Sequence, residues 1–204
     1  MTTAVPTEND EMTRSSEPPS SDASPAAVDQ AQLWIDGCGG FVLLPGSRWT
    51  IGGMDLSGRR AADIRVGADL PRMAGRLDRS GQDYFWVPRE GDKTLIDSQQ
   101  PVPLPGSASL WLTTPSPLSG SALLTLRPPH RFADHVDGVI LVSDTVLIGP
   151  GVGCHVRCEL LQRRWTLTQR NQTWVMVGPG RPMLELVPGQ RVEVDEISLT
   201  LVKG

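Results

Sequence analysis

The sequence predicts an all-β fold: two tandem β-sandwiches preceded by a disordered N-terminal tail. Three observations carry this. Glycine (21) and proline (18) make up nearly a fifth of the 204 residues, and each costs about 1–3 kcal/mol inside a helix relative to alanine. From Leu33 onward the apolar residues fall in short runs, too short for stable helices, divided by turn residues in the rhythm of a sandwich or barrel. The series of runs then occurs a second time.

Taken in order, Leu33-Trp34-Ile35 precedes Asp36-Gly37, and Phe41-Val42-Leu43-Leu44 precedes Pro45-Gly46. Trp49-Thr50-Ile51 stops at Gly52-Gly53. Further strands are expected at Asp83–Val87, Thr94–Ile96, Ser109–Leu112 and Ala122–Leu126. In the second half, Val139–Val142 repeats Phe41–Leu44, and Ile148-Gly149 repeats Ile51-Gly52. Asp63–Val66 aligns with His155–Cys158, and Tyr84-Phe85-Trp86 with Trp165-Thr166-Leu167. Leu104-Pro105-Gly106 aligns with Val187-Pro188-Gly189, and Ser109–Leu112 with Ile197–Leu201. A period near a hundred residues means two copies of a small domain rather than a solenoid. The expected organisation is a tail over 1–32, a first domain over 33–127, a linker over 128–133 and a shorter second domain over 134–204.

The tail carries six acids against Arg14 alone, a balance of −5 in a chain whose net charge is −4. It holds no aromatic residue, so it cannot offset the cost of ordering its backbone, about 1–2 kcal/mol per residue. The near-neutral body argues against nucleic acid as a partner. No apolar run reaches membrane-spanning length, and no secretory leader is expected. Three cysteines, Cys38, Cys154 and Cys158, make a disulfide framework unexpected and point to a reducing, cytoplasmic setting.

The duplicated unit resembles the forkhead-associated (FHA) domain, a β-sandwich whose members recognise phosphothreonine in partner proteins. The likeness rests on Ile51-Gly52-Gly53, Ala62–Val66, Leu70–Leu77, Lys93–Ser98 and the Leu104–Ser107 turn. It implies two tandem FHA-like sandwiches and a phosphopeptide site in the loops. The residues at the implied site depart from the family pattern. Gly53 stands where the family has a phosphate-binding Arg, Pro71 where it has a Ser, and Ala74 where it has a loop-bracing His. Asp97 replaces the Asn that holds the peptide, and Pro150 stands at the second copy's Arg position. Arg72 and Thr94 keep the pattern.

A phosphothreonine carries nearly two negative charges and three acceptor oxygens, and needs fixed cationic and N–H or O–H donors. Losing two charge-assisted hydrogen bonds, at about 1.5–3 kcal/mol each, weakens a micromolar site by hundreds-fold or more. Phosphothreonine recognition is therefore expected to be weakened or lost. An alternative keeps it, through displaced arginines such as Arg59, Arg60 and Arg72. On this register, Gly53→Arg with Pro71→Ser should restore affinity.

Other chemistry is weakly signalled. Ile148–Gly153 looks like a dinucleotide loop, but Cys154–Cys158 is poor helix material, so a strand-to-strand turn is expected. Cys154, His155 and Cys158 lack a fourth ligand at metal-site spacing, and Cys158 is expected as a buried apolar residue. Asp134, His135, Asp137 and Ser143 lie without a nucleophile elbow. The expectation is an interaction module without catalysis, cofactor or metal, with a small enzyme using the second domain as the third reading. Its partner is a protein, phosphorylated or a Ser/Thr kinase substrate, in a signalling or regulatory assembly.

Overall fold

The structure, a computed structural model, describes Met1, residues 30–54 and residues 62–204. Most of the expected tail lies outside these residues, as do Arg59 and Arg60. Among the described residues the fold is all-β, as expected, with strands of two to seven residues and no helix. The first half supplies β1 (Ala31–Ile35), β2 (Gly39–Pro45), β3 (Arg48–Gly53), β4 (Ile64–Gly67), β5 (Gly75–Ser80) and β6 (Asp83–Pro88). It continues with β7 (Thr94–Leu95), β8 (Leu110–Thr113), β9 (Ala122–Leu126) and β10 (Arg131–Phe132). The second half supplies β11 (Gly138–Val142), β12 (Thr145–Gly149), β13 (Val156–Arg157) and β14 (Trp165–Arg170). It ends with β15 (Thr173–Val177), β16 (Leu184–Leu186), β17 (Arg191–Val194) and β18 (Ile197–Lys203).

These strands form three sheets. A seven-stranded sheet in the order β17-β18-β1-β2-β11-β9-β8 lies between a six-stranded sheet, β10-β4-β3-β5-β6-β7, and a five-stranded one, β13-β12-β14-β15-β16. Alternation along β2 and β11 explains the layering. Val42, Leu44, Val139 and Leu141 enter the core against the six-stranded sheet. Phe41, Leu43, Ile140 and Val142 enter the core against the five-stranded sheet. Continuous apolar runs are what strands buried on both faces require.

The two sandwiches therefore interlock. β1 pairs with the final strand β18, and β2 runs parallel to β11. Ala31, Leu33 and Ile35, from the start of the body, belong to the core of the second half. The segment 128–133 is built into the fold: β10 pairs with β4, and Phe132 is buried in the first core.

The repeat itself is visible in strand pairing. Ile51 lies beside Ile64 in the parallel β3–β4 pair, and Ile148 lies beside Val156 in the parallel β12–β13 pair. The aromatic contacts are exchanged between copies. Gly75 on β5 lies beneath the Trp86 ring on β6, whereas Trp165, at the position of Gly75, covers Gly178. The strand pairing corrects the repeat alignment at two places. Trp165-Thr166-Leu167 on β14 corresponds to Gly75-Arg76-Leu77 on β5 and not to Tyr84-Phe85-Trp86, whose strand β6 corresponds to β15. The closing strands are shifted by one. β8 and β17 each follow a Pro-Gly turn and form opposite edges of the central sheet, so β8 corresponds to β17 and β9 to β18. The charged residues of Arg191–Val194 hide a strand that the apolar-run reading passes over.

A second correction concerns the cysteines. Cys38, in the turn between β1 and β2, forms a disulfide with Cys158 just after β13, with their Cα atoms 5.5 Å apart. They lie 120 positions apart in the chain, and only the insertion of the β1–β2 hairpin into the second core brings them together. Cys154 is buried and free.

Candidate functional site

Where the family resemblance puts a phosphate grip, β3 ends at Gly52-Gly53 and the 68–74 loop folds back onto it. Gly53 N–H donates to the Pro71 carbonyl at 2.9 Å, and Ala74 N–H to the Ile51 carbonyl at 2.8 Å. A Cβ on Gly52 would strike the Arg72 carbonyl oxygen, and one on Gly53 the Leu70 carbonyl oxygen. Glycine is required here by close backbone approach. The space a side chain at Gly53 would enter is occupied by the Leu70 carbonyl oxygen, which repels an anion. The second copy repeats this at Gly149, whose added Cβ would meet Arg164 Cα at 2.9 Å and the Arg163 carbonyl oxygen at 3.0 Å. Pro150 follows it, just before a turn closed by Cys154 N–H on the Gly151 carbonyl, and no helix opens after the Gly-Pro-Gly segment.

The remaining predicted residues are divided. Arg72 and Thr94 lie at the same end of the six-stranded sheet, since Gly75 pairs with Pro88 and Trp86 with Thr94. Both are exposed. Asp97 is carried toward the opposite end, because Ile96 N–H bonds the Tyr84 carbonyl further back along β6. Its carboxylate accepts the Gln99 N–H at 2.9 Å within its own turn. Of the neighbouring arginines, Arg65 bonds Asp134 at 2.6 Å, Arg76 bonds Asp78 at 3.0 Å, and Arg79 donates to the Gly81 carbonyl.

Beside this loop is a groove of about 490 Å³ over Trp86, walled by Pro71, Met73, Ala74, Pro88 and the Pro103–Pro105 turn, with Arg89 and Glu90 also on its wall. Prolines lack N–H donors, so the groove presents apolar surface. Its components come from three separate loops, so strand spacing alone did not reveal it. Trp174 is buried in the second core.

Sequence reasoning also passed over a polar seam. The Ser119–Ser121 segment joins the halves: Tyr84 Oη donates to the Gly120 carbonyl at 2.6 Å, and Ser119 Oγ to the Thr145 carbonyl at 2.6 Å. Ser143 N–H donates to Ser121 Oγ. His155, 1% exposed, accepts the Leu147 N–H at Nδ1 (3.0 Å), and its Nε2 lies 3.1 Å from the Ser121 carbonyl, which fixes the proton on Nε2. Burial lowers its affinity for a second proton, against the Ser121 bond and the Asp144 charge, which act the other way. The Tyr84 phenol is pushed well above its usual range, chiefly by burial. Among the described residues, no three His, Cys, Asp or Glu side chains converge as a metal site.

No known protein family, curated protein or solved structure matches the chain.

Proposed function

We propose that this chain is a non-catalytic interaction module of FHA type, an adaptor that binds a protein partner without gripping phosphothreonine at the loop tips. One observation carries the reading. The Leu70 and Arg72 carbonyl oxygens cover the glycines where a phosphate grip would need a guanidinium and open space. An anion there would meet acceptors instead of donors, while the adjacent groove over Trp86 offers apolar area for a partner's side chains. Both ring nitrogens of the buried His155 are engaged with backbone groups, which suits a structural role better than proton transfer.

The compartment is part of this proposal. No helix among the described residues is long and apolar enough to cross a membrane. The cytoplasmic placement rested on unpaired cysteines, and the Cys38–Cys158 bridge removes that ground. An oxidising compartment suits the bridge better.

The test is capture of the partner from native lysate, before and after phosphatase, by the unaltered chain and by Met73→Glu. Capture that survives phosphatase and is lost with Met73→Glu supports the module. Capture that requires phosphate and is lost in Arg72→Ala overturns it in favour of the displaced-arginine reading through Arg72.

A further inference from the structure

A second cavity, sharing no lining residue with the groove, lies where the chain crosses between sandwiches. It measures about 340 Å³ and is lined by His130, Arg131, His135 and Asp137 over an apolar floor that includes Leu126 and Phe132. Two of the chain's three histidines and one guanidinium thus share one cavity. The crossing is tied down at three points. His130 Nε2 is 3.4 Å from Ser107 Oγ, Asp134 bonds Arg65 at 2.6 Å, and Asp137 Oδ2 accepts the Gly40 N–H at 2.9 Å.

His135 adopts a left-handed backbone conformation, φ 55°, which a non-glycine residue rarely takes. Its N–H is bonded to the Phe132 carbonyl, so the strained turn is locked. Such strain persists where the surroundings over-determine it and is frequent at ligand sites.

We propose that this cavity is a binding site for a small oxyanion of the phosphate-monoester class, held by His130, Arg131 and His135. Arg131 supplies a permanent fork of N–H donors. Each imidazole adds at least one N–H donor, while the one carboxylate in the lining, Asp137, already accepts the Gly40 N–H. The charged groups contributed by neighbouring segments are engaged elsewhere: Arg65 with Asp134, and Arg127 over the Trp111 ring. The cavity therefore offers an anion mainly N–H donors. It is separate from the loop-tip groove and does not depend on how that groove is used.

With only three histidines, imidazole proton resonances of the full chain report the site directly. Titration with inorganic phosphate at pH 6 should shift two of them and leave buried His155 unmoved. Affinity should fall about tenfold or more in Arg131→Ala, which loses a charged donor. His135→Asn, which tolerates the left-handed turn, should also weaken binding while the fold persists. A phosphothreonine peptide run in parallel identifies the source. Binding tighter than phosphate, and lost in Arg131→Ala, means a phosphorylated protein; binding no tighter means a free phosphate ligand. No shift at pH 6, equal movement of all three histidines, or shifts unchanged in Arg131→Ala would overturn the proposal.

Discussion

Asp63 and His155 occupy equivalent positions in the two copies and satisfy the same backbone group with different chemistry. Asp63 Oδ2 accepts the Thr50 N–H at 2.9 Å and the Thr50 hydroxyl at 2.7 Å. His155 Nδ1 accepts the N–H of Leu147, the residue at the position of Thr50, at 3.0 Å. Each braces the residue just before Ile-Gly. The second copy's acceptor also reaches the Ser121 carbonyl, so His155 ties the halves together where Asp63 serves one half alone.

His155 therefore makes stability pH-dependent. The folded state resists a second proton on its ring because of burial, while the unfolded chain takes one at imidazole's ordinary value of 6.5. The unfolded state binds more protons below that value, so stability is fully present above it and is lost as pH falls. Urea denaturation at pH 7.5 and 5.5 should show a lower midpoint at 5.5. In His155→Leu that contribution should vanish, with a loss of about 1–3 kcal/mol for each backbone group left unpaired.

Tyr84 is the chain's one tyrosine, so its ionisation can be followed by absorbance alone. The native protein should show no phenolate at pH 10, the ordinary value. The stability this represents is present below pH 10 and declines as pH rises above it. Tyr84→Phe leaves the buried Gly120 carbonyl without its 2.6 Å donor and should cost about 1–3 kcal/mol. Thermal denaturation measures it.

The Cys38–Cys158 bridge closes a loop of 120 residues. By chain entropy such a bridge contributes about 4–5 kcal/mol. Reductant, or Cys38→Ser, should lower the denaturation midpoint sharply, whereas Cys154→Ser should leave the bridge intact. Denaturation with and without reductant, with thiol counting by mass, separates the variants.

Gly53→Arg with Pro71→Ser should not restore phosphothreonine affinity, contrary to what the sequence register alone suggests. The new Cβ would collide with the Leu70 carbonyl oxygen, so the variant should lose about 1–3 kcal/mol from backbone displacement. Peptide titration and a melting curve on one sample check both parts.

Much of this fold was legible because a strand's alternation is written in every second residue. The Ile51-Gly52 and Ile148-Gly149 repeats marked equivalent strands, and their parallel pairing with Ile64 and Val156 follows the alignment. What was not legible is long-range. Phe41–Leu44 and Val139–Val142 are apolar on both faces, a sign of strands between two cores, but nothing local says that they pair with each other. The disulfide was hidden for the same reason. At the loop tips, Gly53 and Pro71 could be read as lost donors, while the Leu70 and Arg72 carbonyls lying over Gly53 and Gly52 could not. The groove over Trp86 and the cavity at His130 and His135 arise where separate loops meet in space.

The most direct measurement is calorimetric titration of the full chain with a degenerate phosphothreonine peptide library, repeated with Arg72→Ala and Arg131→Ala. The expected result is no phosphate-dependent binding that Arg72→Ala removes. Low-micromolar, phosphate-dependent binding that is abolished by Arg72→Ala and spared by Arg131→Ala would contradict it.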